Sequence, residues 1–156
     1  MTRRPLVLAA LVILLAPLAG AETSIGYAYL KSLEDGGGSV PTGGYLSFAG
    51  TRDGVSPELD LAYHRDTEDS VTLNTFTGFI GPRFGSASGG FLRLMGGIRY
   101  DRALGESDHA FGGMAGIGVN LKTGGNMTVR LGGDFQLFFK DGEKLKALRL
   151  NAGIGF

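Results

Sequence analysis

Apolar and polar residues alternate with a period of two along most of this chain, most plainly between Ala110 and Phe156. From Met127 to Leu137 the odd positions Met127, Val129, Leu131, Phe135 and Leu137 are apolar, while Thr128, Arg130, Asp134 and Gln136 are polar. A period of two is the mark of a β-strand with one greasy and one polar face. Phe111, Ala115, Ile117, Val119 and Leu121 repeat it before this segment, and Leu148, Leu150, Ala152, Ile154 and Phe156 repeat it after. Five earlier segments read the same way: Ser24–Leu33, Gly43–Thr51, Pro57–His64, Asn74–Phe84 and Gly90–Asp101. Eight strands are therefore predicted.

The connections carry a second pattern. After the second, fourth and sixth segments they are tight and Gly-rich: Arg52–Ser56, Gly85–Gly89 and Thr123–Gly125. After the odd-numbered segments they read as longer and charged: Glu34–Thr42, Arg65–Leu73, Arg102–His109 and Phe139–Leu145. In an up-and-down meander the odd and even connections fall at opposite ends, so one end is short and the other long. Transmembrane barrels show that asymmetry, and ten residues tilted by about 40° rise roughly 25 Å, the height of the apolar band such barrels present.

Composition decides which face looks outward. A soluble barrel turns its apolar face inward and needs an outer face rich in charge. Here charged residues make up 19% of the chain, and the polar face of the later strands is mostly Gly, Ser, Thr, Asn and Ala. Such a face suits a narrow interior. The fold expected is all-β: an eight-stranded antiparallel up-and-down transmembrane β-barrel, with its lumen just wide enough for side chains to fill. The charged residues of the polar face, Glu58, Asp60, His64, Arg83, Arg93, Arg99, Arg130, Asp134 and Arg149, then form an interior polar network of structural role. Hairpin registers place Glu58 diagonal to Arg83, and Asp134 near Arg149 and Asn151. Unpaired charges there would cost several kcal/mol each, so pairing is expected.

The N-terminus changes the picture of compartment. Arg3 and Arg4 precede an apolar run from Leu6 to Leu15, then Pro17 and the small residues Ala19, Gly20 and Ala21. These are the parts of a secretory signal peptide, expected over residues 1–21 and cleaved to leave a barrel domain at 22–156. Removing Arg3 and Arg4 leaves 13 basic against 15 acidic residues, a net −2 with no basic patch suited to nucleic acid. Cysteine is absent, so no disulfide framework holds the exported chain together. The 28 glycines follow no collagen period and fit a crowded strand interior.

Taken in order, Gly81-Pro82-Arg83-Phe84, the glycine-rich sixth strand, Val129-Arg130-Leu131-Gly132-Gly133-Asp134-Phe135 and the Leu148-to-Phe156 ending resemble small bacterial outer-membrane β-barrel proteins. The resemblance covers most of the chain after residue 21. It implies a place in the cell outer membrane, and for many members no known chemistry. It also implies that Phe156, ending a run of alternate apolar residues, is an assembly signal read by the barrel-assembly machinery. The sequence departs from the family in lacking Trp, which leaves Tyr27, Tyr29, Tyr63, Tyr100, Phe111 and Phe139 as interfacial candidates.

Candidate chemistry is sparse. His64 and His109 are the two histidines, and His64 reads as a hydrogen-bonded rim residue at the end of the third strand. Ser107, Asp108 and His109 offer triad residue types, but triads are made by three-dimensional geometry, and neighbours on a loop seldom converge. Metalloprotease, phosphate-loop and nucleophile-elbow motifs are missing. No catalytic, cofactor or metal site is expected. The function expected is a monomeric structural or surface-contact protein, with outer-membrane lipid, including lipopolysaccharide, around it. A narrow conduit or binding site for small solutes or lipids is the first alternative, and a lipid-modifying enzyme acting through His109 the second.

Overall fold

The computed structural model describes residues 21–34, 39–40, 42–50, 53–68 and 71–156, and there the chain is a closed antiparallel barrel. The expected signal peptide, up to residue 20, and the Gly36-Gly37-Gly38 run lie outside the described residues. Eight main strands follow one another: β1 Glu22–Ser32, β2 Thr42–Ala49, β3 Gly54–Glu68, β4 Val71–Gly85, β5 Gly90–Ala103, β6 Glu106–Gly124, β7 Met127–Lys140 and β8 Glu143–Gly155. A two-residue stretch, Ser39–Val40, pairs with β1 ahead of β2. Each main strand pairs with the next, and β8 returns to β1 from Ser24↔Gly155 to Ser32↔Ala147. Thr23 and Phe156 extend that seam by exchanging two backbone hydrogen bonds of 3.0 and 2.9 Å. The main wall therefore has no free edge, the condition for crossing hydrocarbon with strands.

Following the ladder around the wall shows how far it is staggered. The row Thr23, Phe48, Leu59, Ile80, Gly96, Gly113, Leu137, Lys146 comes back to β1 at Leu33, ten residues beyond its start. That stagger tilts the strands by about 40°, within the usual barrel range. Residues at one height in the lumen are therefore not ladder partners but are displaced by roughly one residue per strand.

The strands overrun the expected segments at one end. Arg65–Glu68 and Val71–Leu73 belong to β3 and β4. Only Leu104–Gly105 connects β5 to β6, and only Asp141–Gly142 connects β7 to β8. Both pairs have positive φ, 52° and 85° in the first and 48° and 88° in the second. This is the type I′ hairpin turn, whose twist matches that of the strands it joins. Apart from the connection of residues 33–41 between β1 and β2, which is long as expected, the two ends differ in strand overrun rather than in loop length: charged residues expected in loops sit on a wall that continues past the apolar band. The end after odd strands is called the loop end below, and the other, with Glu22 and Phe156, the turn end.

Candidate functional site

The wall's two faces have opposite chemistry. Ile25, Ile80, Leu94, Ile117, Leu131, Leu150 and Ile154 are exposed on the outside, while Arg83, Arg93, Arg130 and Arg149 are among the largest fully buried side chains. Tyr27, Tyr63, Tyr100, Phe111 and Phe139 are also exposed, and Tyr29 is half-buried. Tyr27, Tyr63, Phe76 and Tyr100 share one ladder row through Gly44, toward the loop end of the band. No water-soluble protein folds with leucines out and arginines in, because each buried charge and each exposed apolar side chain would raise its free energy.

The centre of the lumen is an ion lattice built around Arg93. Its Nε and Nη2 donate to the two oxygens of Asp134 at 2.8 and 2.7 Å. Its Nη1 donates to Glu58 Oε1 at 2.7 Å and Asp60 Oδ2 at 3.0 Å. Arg149 bridges the same two aspartates, donating from Nε to Asp134 at 2.9 Å and from Nη1 and Nη2 to Asp60 at 2.7 and 3.0 Å. Arg130 donates to Glu58 Oε1 at 2.6 Å and to Ser47 Oγ at 3.0 Å, and Asn151 donates to Asp134 at 2.9 Å. Two-pronged guanidinium–carboxylate contacts of this kind fix orientation as well as charge balance.

Beneath the lattice the Phe91 ring lies among three guanidiniums, with Arg130, Arg83 and Arg93 at 4.5, 5.6 and 5.9 Å from its centroid. Glu22 closes the turn end, accepting from Thr128 Oγ1 at 2.8 Å and from the Asn120 amide, with Arg83 3.6 Å away. Asn120 also donates to Ala87 O at 3.1 Å and from its backbone to Gly89 O, holding the β4–β5 turn across the mouth. Asp53 secures that turn from the other side, accepting from Ser86 Oγ and Ala87 N at 3.0 and 3.2 Å. These two hydrogen bonds, the backbone one foremost, hold its carboxyl below the usual carboxylate range.

Two of the expected placements need correction. Glu58 stands diagonal to Arg83 as expected, with Gly81 directly opposite, but its hydrogen bonds go to Arg93 and Arg130 while Arg83 faces Glu22 and Gly50 O. Arg99 lies outside the lattice, pairing with Asp101 at 2.7 Å near the loop end, where Asp101 also accepts from Thr75 Oγ1. His64 is no rim residue; β3 runs on past it, its side chain is fully buried, and neither ring nitrogen bonds a described residue. The Asp134, Arg149 and Asn151 group does assemble, with Asp134 opposite Arg149 in the β7–β8 ladder.

The lumen is also less uniformly polar than the alternation suggested. Phe79, Met95, Ala110, Met114 and Phe138 form a buried apolar cluster on its inner face, flanked by Leu145. Ala28, Tyr45 and Ala62 form another, and Leu30 with Ala147 a third. Glycines make the room: a Cβ on Gly116 would lie 1.9 Å from Asp134 Oδ1, and one on Gly118 would lie 2.4 Å from Phe91 Cζ. Sequence reading placed Met95, Met114 and Asn120 on this face but missed Phe79, Phe91, Phe138, Glu22 and Ser47. The inward parity of Phe91 and Phe138, shared with Arg93 and Gln136, was the available signal.

Ser107, Asp108 and His109 do not converge. They alternate along β6, so Asp108 faces inward while its neighbours face out, and its carboxylate is taken by Lys140 and by the His109 backbone. The outward His109 ring instead packs edge-on against Phe111, centroids 5.9 Å apart. Among the described residues no group of three or more His, Asp or Glu side chains could hold a metal ion.

A closed barrel with a hydrocarbon-facing wall and a charged interior is a transmembrane β-barrel. Its fold is similar to that of small barrels solved from bacterial outer membranes. Ail, the attachment invasion locus protein of Yersinia pestis, superposes with a TM-score of 0.61 at 19% identity, over 87% of this chain and 97% of that one. Neisserial surface protein A gives a TM-score of 0.61 at 15% identity, over 88% and 96%. The outer membrane protein OprG from Pseudomonas aeruginosa gives 0.56 at 12% identity, over 88% and 95%. At such identities what is shared is the fold. No protein-family model matches the sequence, and no curated protein sequence matches it.

Proposed function

We propose that the protein is an integral outer-membrane barrel without catalytic activity, sealed along its lumen, whose role is structural or one of surface contact. The observation that carries this reading is the filled interior: the arginines and carboxylates that could line a path instead clasp one another at 2.6 to 3.0 Å. The scattered Ser107, Asp108 and His109 leave the lipid-modifying alternative without a nucleophile and base in contact.

Orientation follows from charge on the outer face. At the loop end the strand alternation turns Lys31, Arg65, Arg102, Lys144 and Lys146 outward, above the aromatic row. It turns Asp66, Asp101, Glu106, Asp108 and Glu143 toward the lumen axis. Among the described residues of the strands, no charged side chain faces outward at the turn end. An outward collar of cations at one end suits the phosphates of outer-leaflet lipid, lipopolysaccharide included, and leaves the turn end in the periplasm. Phe156, whose ring is exposed on the lipid face at the β1–β8 seam, is the residue through which the assembly machinery would recognise the last strand. The protein works as a monomer.

Fractionation tests this reading. The protein should sediment with outer membranes, migrate faster on detergent gels before heating than after, and give no current steps in a planar bilayer. Recovery from the soluble periplasm would overturn the orientation of the faces, and steady single-channel steps would favour the conduit.

A further inference from the structure

We propose that the barrel thins the membrane on one side: its apolar band is short on β1 and β2 and tall on β6 and β7, so that lipid phosphates are drawn inward beside β1. This rests on the reading of the outer wall as lipid-facing and adds a shape that the surrounding lipid must follow.

Every second residue of a strand faces outward, so the band has a definite height on each strand. On β1, Ile25, Tyr27 and Tyr29 face outward between Thr23 and Lys31. On β2 the outward positions above Gly50 are Phe48, Leu46 and Gly44, and Thr42 ends them. On β7 every outward position from Met127 to Phe139 is apolar or Gly, and on β6 so is every one from Leu121 to Phe111. At about 3.3 Å per residue and a tilt of about 40°, Ile25 to Tyr29 covers roughly 10 Å of height, whereas Met127 to Phe139 covers roughly 30 Å. The hydrocarbon core of a bilayer is about 30 Å thick. One side of the wall matches it and the other is too short.

Both limits of the band retreat on the short side. Because the ladder climbs by ten residues around the wall, Lys31, Arg65 and Lys146 stand no higher than Tyr100 and Phe139. Cations thus occupy on one side the level that aromatic rings occupy on the other. At the turn end Ile25 is level with Ile117, yet Val119 and Leu121 continue the apolar face below Ile117, while Thr23 is the next outward residue below Ile25. Tilting the barrel would shift both limits of one side in the same direction; here they close on each other. Lysine and arginine stems let their charges snorkel over part of the distance. Thinning of the bilayer relieves the rest of such a mismatch. Lys31 and Lys146 face outward on the two strands of the β1–β8 seam, so the phosphates they attract lie against the seam.

The chain has no cysteine, so a spin label on a single introduced Cys has one place to attach. Tyr29→Cys and Ile25→Cys on β1 are compared with Ile98→Cys on β5 and Ile117→Cys on β6, which stand at nearly the same two heights. Each variant is first shown to be folded in dioleoylphosphatidylcholine vesicles by its heat-modifiable migration. Collision with dissolved oxygen against a water-soluble nickel chelate should place both β1 labels shallower than their counterparts by at least about 3 Å. Equal depths, or one β1 label shallower and the other deeper as in a tilted barrel, overturn the thinning. All four labels open to the chelate would overturn the lipid-facing wall itself. Should a variant fail to fold, wild type in nanodiscs of the same lipid decides. Cross-peaks from the choline methyls to the Tyr29 ring, with none to the Ile98 methyls, support the thinning, and any other pattern sinks it.

Discussion

The turn-end half of the lumen and the storey above it are filled by opposite means. Below, four buried arginines meet four carboxylates, Glu22, Glu58, Asp60 and Asp134, in contacts that leave no net charge. Above, aromatic rings and thioethers fill much of the same width, beside the buried side chains of His64, Thr75, Thr77 and Gln136. The difference teaches that an eight-stranded wall sets a volume to be filled and leaves the chemistry open. It also implies different failure modes: removing a piece of the lower half strands charge, while removing a piece of the upper half leaves a hole.

That contrast can be broken from the largest effect downward. Arg93→Ala leaves Glu58, Asp60 and Asp134 facing one another with one cation fewer, and should cost about 3 to 5 kcal/mol in urea unfolding from lipid vesicles. An effect near zero would mean that the lattice is soaked by water and screened. Phe138→Ala should cost about 3 kcal/mol through the cavity it opens, and unlike Arg93→Ala its cost should not change with salt. Gly116→Ala sharpens the comparison, because its methyl would collide with Asp134; about 1 to 3 kcal/mol is expected. Gly96→Ala on the lipid face, with nothing within 4 Å of its Cβ, should be close to neutral. Equal damage from both glycine variants would show that the inner face is not close-packed.

The smallest effect lies at the rim. Asp53 has a carboxyl pKa held down in the folded barrel, so its contribution is present above the ordinary carboxylate range and is lost as pH falls through the folded value. Stability of wild type should therefore dip slightly below pH of about 4, and that part of the dip should vanish in Asp53→Asn.

The faces of the wall were legible in the sequence because side-chain direction in a strand depends on parity alone. Arg130 and Arg149 point inward for the same reason that Leu131 and Leu150 point outward. Pairing across the lumen was not legible, since it depends on the stagger of all eight strands together. Asp134 and Arg149 were found because they are ladder neighbours, whereas Glu58 reaches Arg93 and Arg130 across the barrel. The overrun of β3 through β8 was hidden by charge: polar residues beyond the lipid read as loops although they pair as strands. Asp141-Gly142 was the overlooked sign of a tight hairpin.

The hydrogen bonds between Thr23 and Phe156 have a kinetic consequence. They join residues 133 positions apart in the chain, so a large loop-closure entropy must be overcome before this contact rewards the chain. Until β8 arrives, β1 presents an unsatisfied backbone flank that any other strand could occupy. A molecule of this design must be kept extended until its whole length has been delivered, and its rate of maturation should follow the release of its final segment rather than the speed of any single hairpin.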